Sequence, residues 1–171
     1  MFGTQRKLDS EDELYDVAVR ALMRRGHSVN EMQKLLERRA DNELLVKVVL
    51  AKLRENGKLD DLSYAKQFVR QRTEIRRQGK FRITRDLHAR GVADEHIAAA
   101  LAESAEQTDE TALVRQRIER KLKLTRGEVD ERKIASLYRS LMRAGFASDL
   151  IRRELQSMTK APVPEGESAA E

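Results

Sequence analysis

Cysteine is absent from this 171-residue chain, and so is tryptophan. No disulfide or thiolate metal site can form, so the fold must hold by packing. Aromatics are scarce, with three Tyr and four Phe. That leaves Leu, Ile, Val, Ala and Met for the core and argues against a base-stacking platform for single strands. Proline occurs only as Pro162 and Pro164. Residues 1–161 carry none, as a succession of helices would require, because helix interiors reject it. No run approaches the roughly 20 apolar residues of a membrane span. The start, Met1 to Leu8, has no apolar stretch of signal-peptide length. The expectation is a cytoplasmic protein with no membrane contact.

Charge is what the chain has in excess. Lys, Arg, Asp and Glu make up 37% of it, well above the usual quarter. The apolar share, 40%, suffices for a core, but so much charge implies thin helical layers with a wetted surface. The net charge of +5 favours acidic partners, nucleic acid first among them.

Gly26, Gly57, Gly79, Gly91, Gly127 and Gly145 fall between stretches of helical period. Apolar residues in those stretches step by three or four, as in Leu14, Ala18, Ala21, Leu22 and again in Leu44, Leu45, Val48, Val49, Leu53. Nine helices are predicted, at roughly 11–24, 29–38, 42–55, 61–77, 81–90, 94–105, 109–123, 129–144 and 148–158. Ser10–Glu13, Ser28–Glu31 and Thr125–Glu128 have capping-box spacing. Asp41, Asp61, Asp94, Thr108 and Ser148 are further candidate N-caps.

Three of the joints resemble one another: Leu36 to Leu45, Leu87 to Ile97 and Leu141 to Ile151. Each ends a helix on a basic and a small residue, turns, and starts a new apolar helix. Ala40 to Gly91 is 51 residues and Gly91 to Gly145 is 54, a near-constant period. The fold class is therefore all-α: three tandem three-helix repeats forming an elongated, curved array. An arm (1–10) precedes repeats at 11–57, 58–104 and 105–158, and a disordered tail (159–171) follows.

The residues at these joints resemble the RecX family, regulators of the RecA recombinase. Ala21-Leu22, Arg25, Ser28, Glu31 and Leu35 match its opening repeat, and Lys58-Leu-Asp-Asp-Leu-Ser-Tyr-Ala65 its most characteristic segment. Arg70, Gly79, Arg82-Ile83, Leu87 and Arg90-Gly91-Val92 follow in the family's order. Lys133-Ile134, Leu137, Leu141 and Ala144-Gly145-Phe146 close the set. Met32 stands where the family has Leu, and the acidic proline-bearing tail lies outside the pattern. The resemblance covers about residues 14–157. It implies three tandem repeats lying along a RecA–DNA filament, inhibition of the recombinase, and no catalytic residues.

The charge is uneven. From Lys66 to Arg90 nine basic residues face two acidic ones, a local +7 that exceeds the +5 of the whole chain. Lys66, Arg70, Arg72, Arg76, Arg77, Lys80, Arg82 and Arg85 are the candidate contacts to a polyanion or filament, because guanidinium forks suit phosphates and carboxylates. Lys66, Arg70 and Arg77 are expected on one helix face. A second cluster from Arg115 to Arg126 contains Arg117, Arg120, Lys121 and Lys123 against Glu119 alone; it reads equally as a wetted helix face.

No phosphate loop, nucleophile elbow or HExxH spacing is present. His88 and His96 flank a turn, but without Cys they make a poor metal site. The chain is thus expected to be a non-enzymatic monomer without cofactor or metal. It would bind a RecA filament, touch DNA weakly and salt-dependently, and limit filament growth, strand exchange and co-protease activity. A general helical nucleic-acid binder or an adaptor scaffold is the alternative.

Overall fold

A computed structural model describes residues 7–125, 127 and 129–159. The segments 1–6 and 160–171, which include Pro162, Pro164 and nearly all of the expected tail, lie outside the described residues, as do Arg126 and Glu128. Among those described, nine helices account for the regular structure: α1 (Glu11–Arg24), α2 (Val29–Glu37), α3 (Glu43–Glu55), α4 (Asp61–Glu74), α5 (Lys80–His88), α6 (Asp94–Gln107), α7 (Glu110–Leu124), α8 (Glu131–Arg143) and α9 (Ser148–Thr159). The chain is all-α, as expected. None of the described helices is long and apolar enough to cross a membrane.

The helices are grouped in two compact units. Among the described residues, one comprises those up to Phe68 together with Asp86–Ala100; the other comprises Val69–Arg85 and those from Leu101 on. In the first unit α1, α2 and α3 pack on one another. Leu14, Ala18, Met32, Leu36, Val49 and Leu53 are fully buried there. In the second, α7, α8 and α9 enclose Val114, Ile118, Ile134, Ile151 and Leu155. Each such Leu, Ile, Val or Met side chain removed from water contributes about 1.5–3 kcal/mol.

The α3 stripe differs from expectation. Val46, Val49, Leu50 and Leu53 face the core, whereas Leu44 is 71% exposed and Val48 is 40% exposed. The apolar runs 44–46 and 48–51, split by Lys47, fit two helical faces equally well, and only packing against α1 and α2 chooses between them. The caps also shift by a residue. Asn42, not Asp41, accepts the Leu45 N–H, at 2.9 Å, and Asp109, not Thr108, accepts that of Thr111, at 2.8 Å. Asp60 caps α4 through Leu62 and Ser63. Asp61, already helical, accepts instead the Val29 N–H that opens α2, at 2.8 Å. Thr125 ends α7 rather than starting a helix, and its hydroxyl donates to the Lys121 carbonyl.

One joint recurs. In the second unit the α8–α9 turn accepts from the start of α5: the Gly79 N–H donates to the Ala144 carbonyl at 2.8 Å and the Phe81 N–H to that of Gly145 at 3.1 Å. Gly145 has φ +91, and a Cβ there would lie 2.4 Å from the Arg82 backbone nitrogen. In the first unit the α5–α6 turn meets the start of α2: the Ser28 hydroxyl donates to the Arg90 carbonyl at 2.6 Å, and a Cβ on Gly91 (φ +72) would collide with Asn30. At the corresponding turn after α2 the arm takes this part. The Leu8 N–H donates to the Arg39 carbonyl and Leu8 in turn accepts from Asp41, both at 2.8 Å.

Ser28 also forms a full capping box with Glu31. Burial acts to raise the Glu31 pKa, but the Arg25 hydrogen bond at 3.1 Å, the Ser28 N–H and the charges of Arg25 and Arg90 outweigh it and hold the group below 4.5. Tyr64 adds its hydroxyl at 3.3 Å. Beside them His27 is buried and held below its ordinary 6.5, chiefly by desolvation.

Two predictions follow from these contacts. Gly145→Ala is expected to cost at least about 2 kcal/mol in denaturant unfolding, from left-handed strain plus the collision. Gly57→Ala, at φ +64 but in open space, should cost about 1 kcal/mol; equal costs would refute the close approach. Because the unfolded chain protonates first at both His27 and Glu31, stability should be full above about pH 6.5 and fall as His27 takes its proton. A second decline should follow below about pH 4.5 through Glu31. His27→Gln should remove the upper step in a pH series of melts, and Glu31→Gln should shrink the lower one, to which Asp60 also contributes.

Candidate polyanion interface

The eight basic residues singled out in the sequence do not form one face. Lys66 belongs to the first unit, and the other seven to the second. Arg70 is exposed and gives its Nε to both oxygens of Glu74 at 3.3 Å, one turn on. Arg72 is half-buried and already engaged with other groups. The expected face shared by Arg70 and Arg77 does not exist, because α4 ends at Glu74. Beyond it Arg77 takes a left-handed conformation, φ 51, and the Gln78 N–H closes on the Arg72 carbonyl at 3.0 Å. With the helix over, a seven-residue spacing no longer returns a side chain to the same side.

The joint described above positions the rest. Gly79 docks on Ala144, so α5 begins against the α8–α9 turn, and Arg82 reaches the Arg143 carbonyl through Nη1 at 3.2 Å. Arg117 on α7 donates to the Arg76 carbonyl at 3.4 Å and lies over the Phe146 ring at 5.9 Å. Burial, then the neighbouring cations of Arg120 and Arg82, hold the Arg117 pKa below its ordinary value. Three guanidinium groups from two distant stretches of chain are therefore gathered near one another. Arg76, Arg77, Lys80 and Arg85 are exposed. Lys80 places its ammonium 5.4 Å above the Phe81 ring, itself 58% exposed.

Reading the sequence as two separate clusters missed this convergence. A cleft of about 280 Å³ beside it is lined by Arg117, Arg120, Lys121 and Leu124 of α7, with Leu137, Ser140 and Leu141 of α8, and no carboxylate. Other basic residues serve structure. Arg115 pairs with the buried carboxylate of Glu154. Arg90 covers the Phe68 ring at 4.8 Å and faces Glu31 at 3.8 Å. His88 and His96 approach different carboxylates, Asp94 at 3.3 Å and Glu95 at 3.8 Å. Among the described residues no group of three or more metal-capable side chains is assembled.

This arrangement can hold anions electrostatically and orient them through planar forks. Similar proteins exist. A profile of the second three-helix domain of RecX matches residues 60–101. Regulatory protein RecX of Halorhodospira halophila is 35% identical over 144 residues, spanning 84% of this chain and 86% of that one. Regulatory protein RecX of Chlorobium phaeobacteroides is 30% identical over 90% of this chain and 99% of its own length. The crystal structure of RecX from Lactobacillus salivarius has the same fold, with a TM-score of 0.75 at 20% identity, over 88% of this chain and 97% of that one.

If the three cations repel one another, Arg120→Gln should raise the melting temperature at low salt by on the order of 1 °C. The gain should shrink as salt screens the charges. A fall in melting temperature at low salt would show that Arg120 is held by an attractive contact instead.

Proposed function

This chain belongs to the RecX family of regulatory proteins, and on that premise we propose that it inhibits the RecA recombinase by occupying the groove of the RecA–DNA filament. Occupancy limits filament growth, strand exchange and access of cleavable repressors, and no catalytic step or cofactor enters. The observation that carries the proposal is the convergence of Arg82, Arg117 and Arg120 in the second unit, where Arg82 reaches the Arg143 carbonyl and Arg117 that of Arg76. Such a surface is more stable when an anion lies on it, and a filament presents phosphates and acidic side chains in a regular array. The exposed Arg76, Arg77, Lys80 and Arg85 extend the contact, while Arg70 and Arg72 contribute less because other groups already hold them. The repeats expected at 11–57, 58–104 and 105–158 would follow the groove, although the two compact units divide the middle one between them.

Titrating the protein into preformed RecA filaments while following ATPase tests this. Inhibition is expected at substoichiometric protein, with binding to filaments exceeding binding to bare DNA. An Arg76→Glu/Arg85→Glu/Arg120→Glu variant that keeps its helical circular dichroism should need about tenfold more protein for the same inhibition. Unchanged ATPase with the unaltered protein would refute the filament reading. Normal inhibition by a folded triple variant would refute the surface. Equal affinity for filament and bare DNA would favour a general nucleic-acid binder.

A further inference from the structure

The first unit carries a second basic feature of different construction. α1 buries Leu14 and Ala18 in the core and turns another stripe, Val17, Arg20, Ala21 and Arg24, toward the C-terminal end of α2. These positions recur at three, four and seven residues, so they line one side of the helix. Leu35, Arg38 and Arg39 complete a cleft of about 400 Å³. Its position is held by the arm, because Leu8 exchanges backbone hydrogen bonds with Arg39 and Asp41 across the end of α2.

The lining combines two chemistries. Val17, Ala21 and Leu35 are half-buried and form an apolar floor, while four arginines and no carboxylate make up the rest. Asp16 lies 3.8 Å from Arg20, with both side chains largely exposed, and Arg39 is already engaged with another group. An exposed pair such as Asp16–Arg20 is weak and yields readily to a better carboxylate. Among the described residues Arg24 and Arg38 make no side-chain hydrogen bond or ion pair.

We propose that this cleft is a docking site for an acidic peptide segment of a partner protein, one that carries apolar side chains between its Asp and Glu residues. Carboxylates are the groups that arginine forks receive in pairs. The apolar floor selects a peptide over a nucleic-acid backbone. A phosphodiester chain would satisfy the arginines but leave Val17, Ala21 and Leu35 facing water, and no aromatic ring lines the cleft to stack a base. The inference does not depend on the polyanion surface of the second unit or on the recombinase.

Fluorescence anisotropy on the full chain tests it with four probes. They are a labelled peptide of about 14 residues alternating Asp and Glu with two leucines one turn apart, its Asn/Gln counterpart, its Leu→Ser counterpart, and oligothymidylate of similar charge. The acidic, leucine-bearing peptide should bind with a Kd on the order of 10 µM. Removing either its charges or its leucines should weaken binding about tenfold. Arg24→Gln/Arg38→Gln should weaken that peptide about tenfold and leave oligothymidylate binding unchanged, with helical circular dichroism and melting as in the parent. Were the double variant to misfold, the comparison of the three peptides on the unaltered protein would still decide. Equal binding of the acidic and neutral peptides overturns the proposal. So does a double variant that loses oligothymidylate as strongly as peptide, which would make the cleft a nucleic-acid surface.

Discussion

The carbonyl that ends the second helix of each three-helix group is the group on which this structure depends. Arg39, Arg90 and Ala144 each present one at a tight turn, where helix geometry leaves it without a partner. In each case a donor from outside the turn satisfies it: the Leu8 N–H, the Ser28 hydroxyl and the Gly79 N–H respectively. The turns can be approached this closely because Gly91 and Gly145 carry no Cβ, and a methyl group at either would occupy the space of Asn30 or Arg82. A single requirement, an orphaned carbonyl needing a donor, is thus met twice by a backbone N–H and once by a hydroxyl. The repeat is conserved in geometry rather than in residue type.

That joint also shapes the charged surface. By docking the start of α5 on the α8–α9 turn it brings Arg82 to the Arg143 carbonyl. The same unit places Arg117 of α7 under the Arg76 carbonyl. Arginine performs two tasks here. Arg90, Arg115 and part of Arg117 hold the framework, through Glu31, Glu154 and the Phe146 ring. Arg76, Arg77, Arg85 and Arg120 remain in solvent. The net charge therefore overstates the binding surface, because much of the positive charge is spent on carbonyls, carboxylates and rings.

The two basic features differ in what surrounds the arginines. In the second unit they surround backbone carbonyls and a cleft between α7 and α8. In the first they rim the apolar side chains Val17, Ala21 and Leu35. A polyanion is recognised by charge density and spacing, whereas a peptide is recognised by charge together with desolvated apolar contact. Two basic surfaces on one chain can therefore serve different partners.

The helices were legible in the sequence because their signals are local. A proline-free stretch, glycines at turns and apolar residues three and four apart act within a few residues, and all nine helices fell close to their expected bounds. The capping box at Ser28 was legible for the same reason, since donor and acceptor lie three residues apart. Where two neighbouring polar residues could each cap, as Asp41 and Asn42 or Thr108 and Asp109, local chemistry was degenerate and the packed helix chose. The same holds for α3, whose apolar runs fit two faces until α1 and α2 select one. The end of α4 escaped notice because its left-handed residue is Arg77, a side chain that carries no turn signal. The gathering of Arg82 with Arg117 and Arg120 had no sequence signal at all. Those residues lie some 35 positions apart, and only the contact between the α5 start and the α8–α9 turn brings them near. The sequence by itself determined the helices and the sign of the charge, both sums of short-range terms; the tertiary structure decided which charges are neutralised and which meet, because that depends on distances through space.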